Sequence, residues 1–144
     1  MPNIGPTIGE PTADGLFGWR VTSNSMNVSV VPEYLPKRSS PEQRFFAFSY
    51  HVTITNLGHE PVQLMRRQWT ITDGSGAVDV VEGEGVVGVQ PWIKPGESYE
   101  YHSGCPLRTP TGYMRGWYFF ESQSGASFRS RIPAMFLRHD KIRH

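Results

Sequence analysis

The stretch Gly83-Glu84-Gly85-Val86-Val87-Gly88 reads G-x-G-x-x-G, the spacing with which dinucleotide-binding loops bring backbone close to a pyrophosphate. That chemistry needs a strand in front, a helix opening inside the motif, and an acidic residue about 20 positions on for the ribose. Val78 to Val81 suits the strand. The helix fails, because Pro91 and Pro95 in VQPWIKPGE would break it. Without a helix N-terminus no row of free N–H groups faces a phosphate. Glu82 and Glu84 would also set carboxylates beside it, and like charges near 4 Å repel by about 4 kcal/mol at an effective dielectric of about 20. The Gly-Lys-Ser/Thr of the other phosphate loop is missing. Gly83, Gly85 and Gly88 are therefore expected to let an edge strand bend. The alternative is an exposed glycine-rich surface whose free amides meet a partner or a small anion.

His51, His59, His102, His139 and His144 raise a second chemistry, metal binding. None forms a close pair on one predicted strand and no carboxylate joins them at ligand spacing, so no metal site is expected. Cys105, three residues after His102, could be drawn as a nucleophile with its base. No oxyanion donor accompanies them, and Pro106 follows at once. The G-x-S-x-G nucleophile elbow is absent too. No catalytic residue and no cofactor are expected, and the protein reads as a non-enzyme. Arg115-Gly116-Trp117-Tyr118 sets basic beside aromatic side chains, as single-strand nucleic-acid readers do. The same residues more simply fill a core and its rim.

The elements that must carry these residues are strands. In FFAFSYHVTIT, Phe46, Phe48, Tyr50, Val52 and Ile54 share one face, and Ala47, Ser49, His51, Thr53 and Thr55 the other. Asn56-Leu57-Gly58 then supplies a turn. VQLMRRQWTIT begins in one phase with Val62 and Leu64 and resumes in the other with Trp69 and Ile71, which predicts a β-bulge near Arg66 or Arg67. AVDVV and SYEYHS are shorter strands. GYMRGWYFFES alternates Met114, Gly116, Tyr118 and Phe120 against Tyr113, Arg115, Trp117 and Phe119, and aromatics on both faces predict a central strand covered on both sides, at least in part. ASFRSRI should stop at Pro133, with MFL docking as an edge. No window of helical length carries an apolar stripe of period 3.6. About seven strands with turns between them predict an antiparallel β-sandwich of immunoglobulin or fibronectin type III kind.

Composition narrows the rest. A net charge of +1 over 144 residues gives no global attraction to nucleic acid or membrane. One cysteine permits no intrachain disulfide and suits a reducing compartment. The start, MPNIGPTIGEPTADG, lacks the basic and apolar regions of a secretory signal, so residues 1–18 are expected to be a flexible leader. The sequon Asn27-Val28-Ser29 carries little weight without a secretory route. No apolar run nears the roughly 20 residues of a membrane span. The sandwich is expected over residues 19–137, followed by a mixed-charge tail, 138–144. The expected location is intracellular, the cytoplasm first and the mitochondrion second.

The blocks YHVTITNLGHEPVQL, RQWTITDGSG, GEGVVG, PGESYEY, TPTGYMRGWYFF and RIPAMFL, in this order over about residues 20 to 137, resemble the ApaG domain family. The resemblance implies a fibronectin-like sandwich without known catalysis, linked in bacteria to cobalt and magnesium efflux and in eukaryotes to protein interaction. It maps the family's glycine motif onto Gly83, Gly85 and Gly88, and its Trp and Arg onto Trp69 and Arg67. This chain departs from many members by having Glu82 where they have a basic residue, and Cys105 where they have Thr. The expected function is a binding module for a protein partner within a larger assembly, using Gly83, Glu84, Gly85, Gly88 and the neighbouring Trp92. Nucleic acid is expected only through such an assembly. The rival expectation is a pyrophosphate- or dinucleotide-binding module tied to divalent-cation homeostasis.

Overall fold

The computed structural model describes residues 10–11 and 17–139, with side chains from residue 18 onward. In chain order the strands are β1 (Glu10–Pro11), β2 (Phe17–Ser23), β3 (Met26–Tyr34), β4 (Phe46–Asn56), β5 (Val62–Asp73), β6 (Val78–Glu84), β7 (Trp92–Ile93), β8 (Ser98–Leu107), β9 (Thr111–Ser122) and β10 (Ser127–Arg138). They form two antiparallel sheets, ordered β1-β2-β3-β4-β8 and β10-β9-β5-β6, with β7 also paired to β5. This is the all-β antiparallel sandwich that the alternation predicts.

The strand count is higher than expected. β2 and β3 form a hairpin through Asn24 and Ser25, whose φ values of 49° and 65° are those of a two-residue type I′ turn. β1 lies within the stretch read as a leader, and Glu10 and Pro11 pair with Gly18 and Phe17. The rest of that stretch up to residue 16, like the tail beyond residue 139, lies outside the described residues. Among the described residues no helix is long and apolar enough to cross a membrane.

β4 follows its sequence pattern: Phe46, Phe48, Tyr50, Val52 and Ile54 are buried, while Ser49, His51, Thr53 and Thr55 are half-buried; Ala47 is buried on the second face. From the opposite sheet Leu64, Trp69, Met114, Tyr118 and Phe120 close on the same core. The Tyr50 ring meets Trp69 edge-on at 5.2 Å, and the Tyr101 and Tyr118 hydroxyls hydrogen-bond between the sheets. A buried hydroxyl needs such a partner, and here each supplies the other's.

Two irregularities interrupt the second sheet. The slip in β5 falls between Leu64 and Arg66 opposite β9, so the extra residue is Met65, just before the predicted arginines. β10 does not stop at Pro133. It runs on to Arg138 through a register shift between Ile132 and Met135, because a bulge on a strand at the sheet's end leaves proline's missing N–H unneeded.

Candidate functional site

β6 and β7 lie end to end on one edge of β5, β9 occupying the other, and residues 85–91 cross between them. Gly83 and Glu84 thus end β6, Gly85 and Gly88 lie in the loop that follows, and Trp92 opens β7 at its exit.

Each glycine has a steric reason. Gly83 stands opposite Arg67, where an added Cβ would lie 2.8 Å from Arg67 Nη1. Gly85 has φ 58°, and its Cβ would fall 2.1 Å from the Val89 carbonyl oxygen. Val86 and Val89 exchange backbone hydrogen bonds of 2.8 and 2.9 Å around Val87 and Gly88, whose φ values are 47° and 79°. That is a type I′ turn with a β-branched residue held in the left-handed region. Around Gly88 there is open space.

The loop closes on Arg67. Its Nη1 donates to the carbonyl oxygens of Glu84, at 3.1 Å, and Gly85, at 2.8 Å. The bulge supplies the second hold: the Met65 carbonyl accepts from the Gly85 N–H at 2.8 Å and from Gln90 Nε2 at 3.0 Å. The loop thus turns carbonyls toward a guanidinium inside the fold, and the amides of Gly85, Val86 and Val89 all donate within the protein. An anion cradle needs the reverse orientation, with free amides converging. The sequence marked Arg67 through the predicted bulge near Arg66 or Arg67 and through the family resemblance, and no part in the site was given to it. The phase slip in β5 carried the local signal, since a bulge is what re-aims a side chain.

Burial raises the phenols of Tyr50, Tyr101 and Tyr118 above their ordinary range, and the nearby Arg67 charge offsets part of that. Burial also pushes the Cys105 thiol up to about 11, which keeps it protonated at neutral pH. Cys105 faces the core and His102 the outside of the sheet, so the two are not brought together. His102 instead stacks on His51, directly opposite on β4, with ring centroids 4.6 Å apart, and His51 Nε2 lies 2.9 Å from Glu100 Oε1. This cross-strand pair was invisible while each histidine was read along its own strand. No group of three or more His, Cys, Asp or Glu among the described residues is placed to hold a metal ion.

The edge carries a row of exposed apolar side chains interspersed with carboxylates. Apart from half-buried Gly83, every β6 residue is exposed, and Val78, Val80 and Val81 are among them. Val87, Val89 and Trp92, the last 52% exposed, continue the surface through the loop.

An antiparallel sandwich with a glycine loop locked by an inward arginine at its sheet edge defines the structural class. Residues 36–122 match the family model described as the ApaG domain, DUF525. The chain belongs to that family. It is 51% identical over 115 residues to Protein ApaG of Rhodospirillum centenum, covering 80% of this chain and 88% of the relative. Against Protein ApaG of Bdellovibrio bacteriovorus the identity is 50% over 104 residues, 72% of this chain and 82% of the other. A Bordetella pertussis protein solved by crystallography under the name ApaA superposes with a TM-score of 0.79 at 46% identity, covering 81% of this chain and 95% of its own.

Proposed function

We propose that the protein is a non-catalytic binding module that takes up an extended segment of a protein partner along the β6–loop–β7 edge. One observation carries this: among the described residues, six of the nine exposed large hydrophobic side chains fall between Val78 and Trp92, on one unpaired sheet edge. An edge strand presents alternate free N–H and C=O groups, which an added strand satisfies. The valines give that strand apolar contacts, and Trp92 is the large ring at the end of the row. Asp79, Glu82 and Glu84 line the same strand, which favours a basic segment. Gly83, Gly85 and Gly88 shape the edge, and Glu84 belongs to its surface.

The pyrophosphate or dinucleotide reading, with its link to cation homeostasis, has no comparable support, because the loop amides named above are committed internally. Nothing in the Cys105–His102 placement favours catalysis.

The test places a photo-crosslinking residue at Val80 and, as a control, at Thr53 on the far sheet. A partner captured from Val80 alone is purified and its affinity measured by calorimetry. Trp92→Ala is expected to weaken it about tenfold or more, the effect of losing an aromatic anchor. Saturable amide shifts at Gly83, Gly85 and Gly88 with pyrophosphate, without a Val80-specific partner, would reverse the assignment.

A further inference from the structure

The outer face of the second sheet carries a different surface. On central β9 it presents Tyr113, Arg115, Trp117 and Phe119 in alternation, the residues opposite to the buried Met114, Tyr118 and Phe120. Cross-strand register sets Arg129 and Arg66 on either side of Phe119, and Arg131 and Gln68 on either side of Trp117. The Arg129 guanidinium lies 3.8 Å from the Trp117 ring centroid, Arg131 lies 4.7 Å from it, and Arg66 lies 4.2 Å from that of Phe119. Such cation–π contacts hold the guanidinium groups over the rings. None of Arg66, Arg115, Arg129 and Arg131 is ion-paired or donates a side-chain hydrogen bond among the described residues. Their donors are held ready and unused.

We propose that this face binds single-stranded nucleic acid directly. The occupant follows from the pairing of two chemistries. Unpaired guanidinium groups suit phosphates, and flat aromatic or guanidinium planes on a sheet suit unstacked bases. Residues two apart on a strand stand about 6.8 Å apart, so the guanidinium groups seated over Trp117 and over Phe119 offer successive sites at which a base can stack on an arginine plane. An acidic peptide would use the charge of the arginines and make no use of their planar faces. Between Arg66 and Arg129, an open groove of about 400 Å³ lined by Phe119, Phe128, Ser127 and Glu121 is of a size for one base. Its carboxylate keeps phosphates out of the groove and toward Arg115, Arg129 and Arg131, and offers an acceptor to an amino group on the base. The net charge of +1 hides the arginine cluster because acids flank it: Glu121 in the groove, and Glu84 and Glu82 beside Arg66 and Gln68 on the outermost strand, where Gln68 Nε2 donates to Glu82.

The experiment is fluorescence anisotropy of the full chain with labelled twelve-nucleotide oligo(rU) and oligo(dT) across a salt series. Its two arms separate RNA from DNA. Trp117→Ala is expected to weaken binding about tenfold or more, the usual scale for one stacked base, and Trp117→Phe to restore most of it. Replacing both Arg129 and Arg131 by Gln should make the log–log salt slope shallower by about 1.4, two phosphates at about 0.7 each. Amide spectra of each variant establish that the fold is kept. No binding of either oligonucleotide at low salt overturns the proposal. So does binding that these substitutions leave unchanged, or binding at the same residues of an oligoglutamate peptide alone.

Discussion

Arg66 and Arg67 are adjacent in β5 and point to opposite faces. Arg67 turns in, where Gly83 leaves room for its guanidinium and the Glu84 and Gly85 carbonyls accept its hydrogen bonds. Arg66 turns out, onto the Phe119 ring, and its donors meet no protein acceptor among the described residues. One residue type therefore serves two regions: a closed one where Nη1 of Arg67 is taken up by the loop's own carbonyls, and an open one whose guanidinium donors meet no acceptor among the described residues. Satisfaction of donors, rather than residue type or motif, separates architecture from a binding surface. The G-x-G-x-x-G stretch belongs to the architecture.

The comparison is broken most severely at Gly85. Alanine there faces both a left-handed backbone and a Cβ 2.1 Å from the Val89 carbonyl, so we expect a loss of about 3 kcal/mol or more. Gly88→Ala shares the positive φ and meets open space, and should cost only about 1 kcal/mol. Urea denaturation of the pair measures the difference. Equal losses would mean that the loop is held by φ alone and that its contact with Val89 is dispensable.

Arg67→Met comes next. It keeps much of the side-chain length and removes the charged donor from two carbonyls, at an expected cost of about 2 kcal/mol, the scale of hydrogen bonds to a charged group. Hydrogen exchange of the Gly85 and Val86 amides should accelerate with it, since the loop loses one of its two holds. Unchanged protection would place the hold in the Met65 bulge alone.

The difference between the regions also marks what could be read in advance. Period-two alternation placed β4, β5 and β9 and the faces of their side chains, because burial on one face imposes that pattern within a single strand. The phase slip between Leu64 and Trp69 located the bulge to within a residue or two, for the same reason. What escaped depends on pairs of strands. The His51–His102 stack, the Arg67–Gly83 fit and the arginines flanking Trp117 are set by cross-strand register, and no single strand encodes its neighbour's register. Pro133 was misread because a proline's effect depends on whether its strand lies inside a sheet or at its end. The exposure of Val78, Val80 and Val81 was hidden similarly, since apolar side chains on an edge look in sequence like those of a core strand.

The smallest effect on stability is expected at Arg66, and it sharpens the comparison furthest. Arg66→Gln removes one exposed cation–π contact, worth about 0.5–1 kcal/mol at such a site, and leaves no acceptor unsatisfied because none is used. The urea midpoint should therefore move far less than for Arg67→Met, one residue away. Affinity for the oligonucleotide should fall with it, since a phosphate or base contact is lost, whereas Arg67→Met, if folded, should bind as the wild type does. A double dissociation of this kind separates a donor spent on the fold from one reserved for a ligand. If Arg66→Gln instead destabilised the sandwich as much as its neighbour and left binding intact, the outer arginines would be a covering for Trp117 and Phe119, and both faces of β5 would be architecture.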